Sequence, residues 1–157
     1  RKYAEGFPDG QAKTDTSLPR PMLNGKSLDF SFSGLKTALL YKLQKDPAWP
    51  DRIPEYCFAF QEAIIDILAG KTVKAARKYG AKTAMLSGGV SANQELRERL
   101  EKTVAKELPG VGFLVPERIY TTDNATMIAT AAVFKVRRSA AGTDYRRLRV
   151  DPSLQLK

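Results

Sequence analysis

The stretch "MLSGGVSANQELRERL" (residues 85–100) decides how the chain is read. Its first residues, Met85 and Leu86, are apolar and run into Ser87, Gly88 and Gly89. From Ser91 a charged pattern with a 3.6-residue period takes over. Leu96, Leu100 and Val104 fall one turn apart, and Glu95–Arg99 and Glu98–Lys102 form i,i+4 pairs on the wet side. Ser91 with Gln94 three residues later fits a capping box, which starts the helix there. The stretch therefore reads as strand, glycine turn, helix.

That junction has chemical consequences. Gly88 and Gly89 carry no Cβ, so a ligand can approach their backbone closely. The N–H groups of the first helical turn form a natural site for anionic or polar groups. In open α/β sheets the ligand crevice lies beyond the carboxyl ends of the strands, where this turn sits. Asn93 offers both a donor and an acceptor there, which suits a ribose hydroxyl or a nucleobase edge. A tight strand-to-helix connection with an incidental asparagine fits the spacing equally well.

Working outward, "AKTAMLSG" (81–88) is a short buried strand, preceded by Gly80 as a helix C-cap. The helix it closes runs from about Glu55 to Tyr79. Phe60, Ile64, Ile67 and Leu68 form its apolar stripe, and Lys71, Lys74, Arg77 and Lys78 complement the dipole at its C-terminal end. "PAWPDRIP" separates it from "SGLKTALLYKLQKD", where Leu35, Leu39, Leu40 and Leu43 keep helical spacing and Ser33 is the expected N-cap. On the other side "VGFLVP" is a second short strand, and "NATMIATAAVFKVRR" is a further helix. Helix, strand, helix, strand, helix is the order of an open α/β sheet in which helices dominate. Three regions follow: an extended or looped lead-in (1–30), an α/β core (31–141) and a basic tail (142–157).

The chain has 157 residues, 43% hydrophobic and 27% charged, the balance of a soluble globular domain with a real core. No run approaches the ~18 apolar residues of a membrane-spanning helix, so no membrane association is expected. "RKYAEGFPDG" lacks the apolar segment of a signal peptide and reads as the start of a piece of a longer chain. Cys57, the one cysteine, excludes an internal disulfide and a thiolate zinc site, and its apolar neighbours point to a buried packing residue. Histidine is absent, so no imidazole serves as base or metal ligand. The net charge of +9 favours polyanionic partners, nucleic acid first. It is concentrated in "KVRRSAAGTDYRRLR" (135–149), where Arg146, Arg147 and Arg149 are candidate RNA contacts unless the segment is a solvated tail.

Three segments taken together, "LDFSFSGLKTALL" (28–40), "LSGGVSANQELRERL" (86–100) and "PERIYTTDNATMIATAA" (116–132), resemble the C-terminal half of the tRNA threonylcarbamoyladenosine enzymes, the TsaD family. The likeness is to the bacterial and organellar branch and runs from about residue 18 to residue 138. It implies an actin-like ATPase (ASKHA) fold of two α/β domains, with this chain as an incomplete second domain. The implied activity moves threonylcarbamoyl from threonylcarbamoyl-AMP to the N6 amine of the adenosine beside the tRNA anticodon. A cytoplasmic location, TsaB-like and TsaE-like partners, and one divalent metal, iron before zinc, come with it. By the same resemblance Asn93 with Gly88 and Gly89 binds the adenylate, and Asp123 of "TDN" is a metal ligand. Read without the family, Asp123 is an N-cap for the helix that follows. Ser31, Ser33 and Lys36 of "SFSGLK" either contact phosphate or RNA, or merely start a helix.

The chain departs from the family pattern in lacking the His-x-x-x-His metal ligands and the glycine-rich phosphate hairpin of the second domain. One carboxylate cannot hold a catalytic transition metal alone, so the expectation is a fragment inactive by itself. Two other readings remain: a different actin-like carbamoyltransferase or kinase, since fold does not dictate function, and a non-catalytic RNA- or protein-binding module.

Overall fold

The computed structural model describes residues 14–138. Four helices, α1 (Phe32–Lys45), α2 (Ile53–Tyr79), α3 (Gln94–Glu107) and α4 (Ala125–Arg138), alternate in their later part with two strands, β1 (Thr83–Met85) and β2 (Gly112–Leu114). The strands pair in parallel, with Thr83 opposite Gly112, Ala84 opposite Phe113 and Met85 opposite Leu114. The α/β, helix-rich class expected from the sequence is therefore observed. Among the described residues no helix is long and apolar enough to cross a membrane.

Helix α2 organises the rest. Pro54 fits its first turn, where an N–H would have no partner, and Arg77 and Lys78 sit in its last turn. It ends at Gly80, whose left-handed backbone (φ 58°, ψ 40°) suits glycine, with Ala81 N–H returning to the Ala76 carbonyl at 3.0 Å. One face of α2 (Ala59, Ala63, Ile67) meets Leu18 of the lead-in and Leu35 of α1. Another (Ile65, Ala69) meets Leu96 and Leu100 of α3, with Leu86 and Phe113 packed against them. Further along, Val73 and Ala76 meet Val104 and Leu108. The expected single stripe is thus corrected. Ile67 is buried, but Phe60, Ile64 and Leu68 are only half-buried, because partners on two sides spread the buried set around the helix.

Small residues let these partners come close. A Cβ on Gly70 would lie 2.6 Å from Leu23 Cδ1, so glycine there makes room for the lead-in. Arg20 fastens the same segment with a 2.7 Å ion pair to Asp66, and Lys42 donates to the Ser17 carbonyl at 2.7 Å. Arg99 joins α3 to α2 through Glu62 at 2.9 Å and takes the expected Glu95 pair at 3.0 Å. Glu98 accepts from Gln94 rather than pairing with Lys102.

Several local expectations change. The residue before α1 is Ser31, not Ser33, and α1 begins at Phe32; Leu40 is 53% exposed on its outer side. Cys57 is exposed, because α2 presents that side to a groove shared with Leu39, Leu43, Trp49 and Phe60. The far face of the strand pair is open, with Met85 and Leu114 exposed, and α4 leaves Ile128 and Phe134 exposed as well.

At the α1–α2 junction Arg52 pairs with Asp46 at 2.8 Å and with Glu55 at 2.9 Å, and Tyr56 donates its hydroxyl to Asp46 at 2.8 Å. That hydroxyl holds the Asp46 carboxyl below its usual value. Burial of Tyr56, then its bond to Asp46, pushes the phenol up to about 12. A raised phenol stabilises the fold fully below the ordinary value near 10 and ceases to do so as pH climbs through about 12. The difference between ultraviolet titrations of the unaltered chain and Tyr56→Phe should show a phenol ionising well above pH 10, at about 12. A difference curve centred near pH 10 would contradict the junction.

Candidate functional site

After β1 the chain reaches Gly88, whose φ of 84° and ψ of 173° lie where side-chain-bearing residues are strained. A Cβ at Gly88 or Gly89 would meet nothing within 4 Å, so glycine is needed at Gly88 for conformation and the turn faces open space. Residues Gly89–Ala92 form one tight turn. Ser91, fully buried, closes it by donating its hydroxyl to the Gly88 carbonyl at 2.6 Å. The expected capping box is therefore not the helix start: Ser91 faces inward and belongs to the turn.

Asn93 is the N-cap of α3. Its Oδ1 accepts from Leu96 N–H at 3.0 Å, and its Nδ2 donates to Gln61 Oε1 of α2 at 3.0 Å. These bonds give Asn93 a structural role, capping α3 and tying its start to α2. One N–H and one lone pair of the amide remain for a ligand. Asn93, Val90 and Leu96 line a cleft of ≈220 Å³ with Cys57, Phe60, Gln61, Ile64 and Ile65 of α2. This is smaller than the ~300–1,000 Å³ of complete small-molecule sites, and has room for a base or a ribose but not a whole nucleotide. Gln61 carries no local sequence signal, since its place beside Asn93 comes from the packing of α2 against the start of α3.

Asp123 lies in the link between β2 and α4. Thr121, 5% exposed, anchors that link by donating its hydroxyl to the Arg118 carbonyl at 2.8 Å. The helix cap is Asn124, whose Oδ1 accepts from Met127 N–H at 3.0 Å. Asp123 is thus not used as the cap, and its exposed carboxylate lines a second open cleft with Asn124, Ala125, Met127 and Ile128. The two clefts have no lining residue in common, but Arg118 ties the link to α3 by donating to Gln94, beside Asn93. Lys36, exposed on α1, lines neither cleft. Arg146, Arg147 and Arg149 lie outside the described residues, as do residues 1–13 and the tail expected at 142–157.

With this geometry in hand, comparison with known proteins is direct. The family profile of TsaD, tRNA N6-adenosine threonylcarbamoyltransferase, matches residues 2–130. The chain belongs to the TsaD family. A relative from Thermosipho africanus named tRNA N6-adenosine threonylcarbamoyltransferase is 42% identical over 130 residues, 82% of this chain and 38% of the relative. Relatives of the same name from Francisella philomiragia and Geobacillus thermodenitrificans are 44% and 47% identical, over 78% and 73% of this chain and 36% and 34% of theirs. The chain spans well under half the length of these curated TsaD relatives.

A metal is the cofactor that TsaD membership brings into question. Among the described residues no group of three or more His, Cys, Asp or Glu could hold one. Asp123 offers one hard oxygen donor, which does not fit a complete transition-metal centre. Metal analysis of the 157-residue chain after loading with iron or zinc should therefore find substoichiometric metal. A stoichiometric, tightly held ion would overturn this account of Asp123.

Proposed function

We propose that this chain is the adenylate-orienting part of an acyltransferase that modifies tRNA, moving threonylcarbamoyl from threonylcarbamoyl-AMP to the N6 amine of the adenosine beside the anticodon. The observation that carries the reading is the Gly88–Asn93 turn at the carboxyl end of β1, with Asn93 fixed by Leu96 and Gln61, in a chain of the TsaD family. In the reaction the amine nitrogen attacks the carbamoyl carbon of the mixed anhydride. A C–N bond forms, the bond from that carbon to the phosphate oxygen breaks, AMP leaves, and the amine loses a proton.

The residues of this chain orient and bind. The apolar wall of Phe60, Ile64 and Ile65 suits one face of a base or sugar, while the spare N–H and lone pair of Asn93 choose its orientation. Gly88 and Gly89 leave room for the backbone to approach the polar part of the ligand. The first-turn N–H groups of α3 not taken by Asn93 suit the anionic phosphate. Holding the anhydride in one pose is itself catalytic, because it removes the entropy of alignment from the attack. Asp123 is read as one donor to a divalent metal, iron before zinc, whose remaining ligands come from outside this chain. TsaB-like and TsaE-like proteins are the expected partners, in the cytoplasm, and the chain alone is expected to be inactive.

Two substitutions at one position separate binding from folding. Asn93→Asp keeps an oxygen for the cap but loses the amide donor, whereas Asn93→Ala loses both and should cost about 1 kcal/mol of stability. In calorimetry with a non-hydrolysable threonylcarbamoyl-adenylate analogue, both variants should weaken binding by about 1–3 kcal/mol. Unaltered affinity in Asn93→Asp would remove the amide from the adenylate site.

A further inference from the structure

Between Asp66 and Glu95 the chain has no acidic residue, yet it carries Lys71, Lys74, Arg77, Lys78 and Lys82. Lys71, Lys74 and Lys78 recur at three- and four-residue spacing and so share one face of the last turns of α2. The helix dipole explains why cations gather at a helix end, but the fold divides these into two groups. Lys71, 2% exposed, donates to the Ser27 carbonyl, Lys74 donates to the Gly25 carbonyl, and Arg77 pairs with Glu107 at 2.9 Å. These three hold structure together.

The remaining cations do not. Holding residues 25–27 against α2 brings the backbone of Lys26 to the same helix face. Lys26, Lys78 and Lys82 are exposed, and none has an ion-pair partner among the described residues. Glu107 is held by Arg77, and Asp29 accepts from the Ser27 hydroxyl and keeps its charge without forming an ion pair to Lys26. The Lys78 ammonium lies 5.2 Å from the ring centre of Tyr79, a ring 69% exposed. Exposed cations without carboxylate partners, one of them over an exposed tyrosine ring, make a surface suited to a nucleic-acid backbone.

Its position is informative. Lys82 immediately precedes β1 and Lys78 is in the last turn of α2, so these two lie at the amino end of the strand pair, opposite the Gly88–Asn93 turn, while Lys26 is held beside the turns of Lys71 and Lys74. From Gln61, bonded to Asn93, to Lys78 the helix advances about 25 Å. A nucleotide cannot reach both ends, but a folded RNA can. We propose that Lys26, Lys78 and Lys82, with Tyr79, form a docking surface for the phosphates of an RNA stem whose reacting nucleotide enters the cleft at Asn93. The proposal rests on the tRNA reading above and adds where the stem is held. Contacts of this kind position the RNA without reading its sequence.

The test is the salt dependence of binding to an RNA hairpin with an adenosine in its loop, followed by fluorescence anisotropy from about 50 to 200 mM salt. The Lys26→Gln/Lys78→Gln/Lys82→Gln variant should flatten the slope of log K against log[salt] by about 2 and weaken binding at low salt. A control with the same charge removed from scattered positions (Lys13→Gln/Lys45→Gln/Lys102→Gln) should keep most of the slope, and circular dichroism should show both variants folded. Equal slopes in the two variants, with the unaltered chain binding, would overturn the docking surface and leave the tRNA reading standing. Failure of the unaltered chain to bind the hairpin at low salt would overturn both. If the three lysines matter for phosphatidylserine vesicles and not for the hairpin, the surface belongs to a membrane and the proposal falls.

Discussion

The two-sided packing of α2 is the constraint on which the other elements depend. Each hydrophobic cluster takes residues from this helix: Ala59, Ala63 and Ile67 toward α1 and the lead-in, Ile65, Ala69, Val73 and Ala76 toward α3 and the strands. A side chain such as Ile65 or Ile67, 1% and 0% exposed, contributes about 1.5–3 kcal/mol by leaving water. The strands are short, and their far face is open, so the strand pair cannot supply the main share of the core. The same helix carries Gln61, which fixes Asn93. The core and the candidate site therefore share one rigid element, as a site that must hold a ligand in one pose requires.

Asn93 has a structural role at the start of α3, and the proposed binding role uses what that leaves of its amide. Capping α3 uses one oxygen lone pair and the Gln61 contact uses one N–H, and the residue is thereby oriented rather than used up. Asp123 follows a different logic. Because Asn124 takes the cap of α4, the carboxylate beside it is released from that duty and stays exposed at the rim of its own cleft. Adjacent residues thus divide holding the helix from presenting a charge.

Much of this was legible in the sequence. The period of Leu96, Leu100 and Val104 marks the buried face of α3, and Gly80 marks the end of α2, because both signals are local. The errors have physical causes. Ser91 and Gln94 fit a capping-box spacing, but a tight turn intervenes, so Ser91 turns inward and the cap passes to Asn93. A one-stripe reading of α2 fails because it presumes one partner, and the helix has two. Cys57 has apolar neighbours in sequence yet is exposed, since its burial depends on what lies across the groove. Gln61 and the Arg20–Asp66 and Arg99–Glu62 pairs join residues far apart in the chain, and no local pattern announces them.

In the proposed reading the cleft of Val90, Asn93 and α2 receives the base or the ribose of an adenine nucleotide, and the rest of the nucleotide extends out of it past the Gly88–Gly89 turn. Nitrogen-15 NMR of the chain titrated with AMP tests it most directly. The account predicts that the backbone amides of Gly88, Gly89, Val90 and Gln94 shift along one saturable curve, together with the side-chain amides of Asn93 and Gln61. Stationary signals at these positions, or shifts confined to Lys26, Lys78 and Lys82 at the other end of α2, would contradict it.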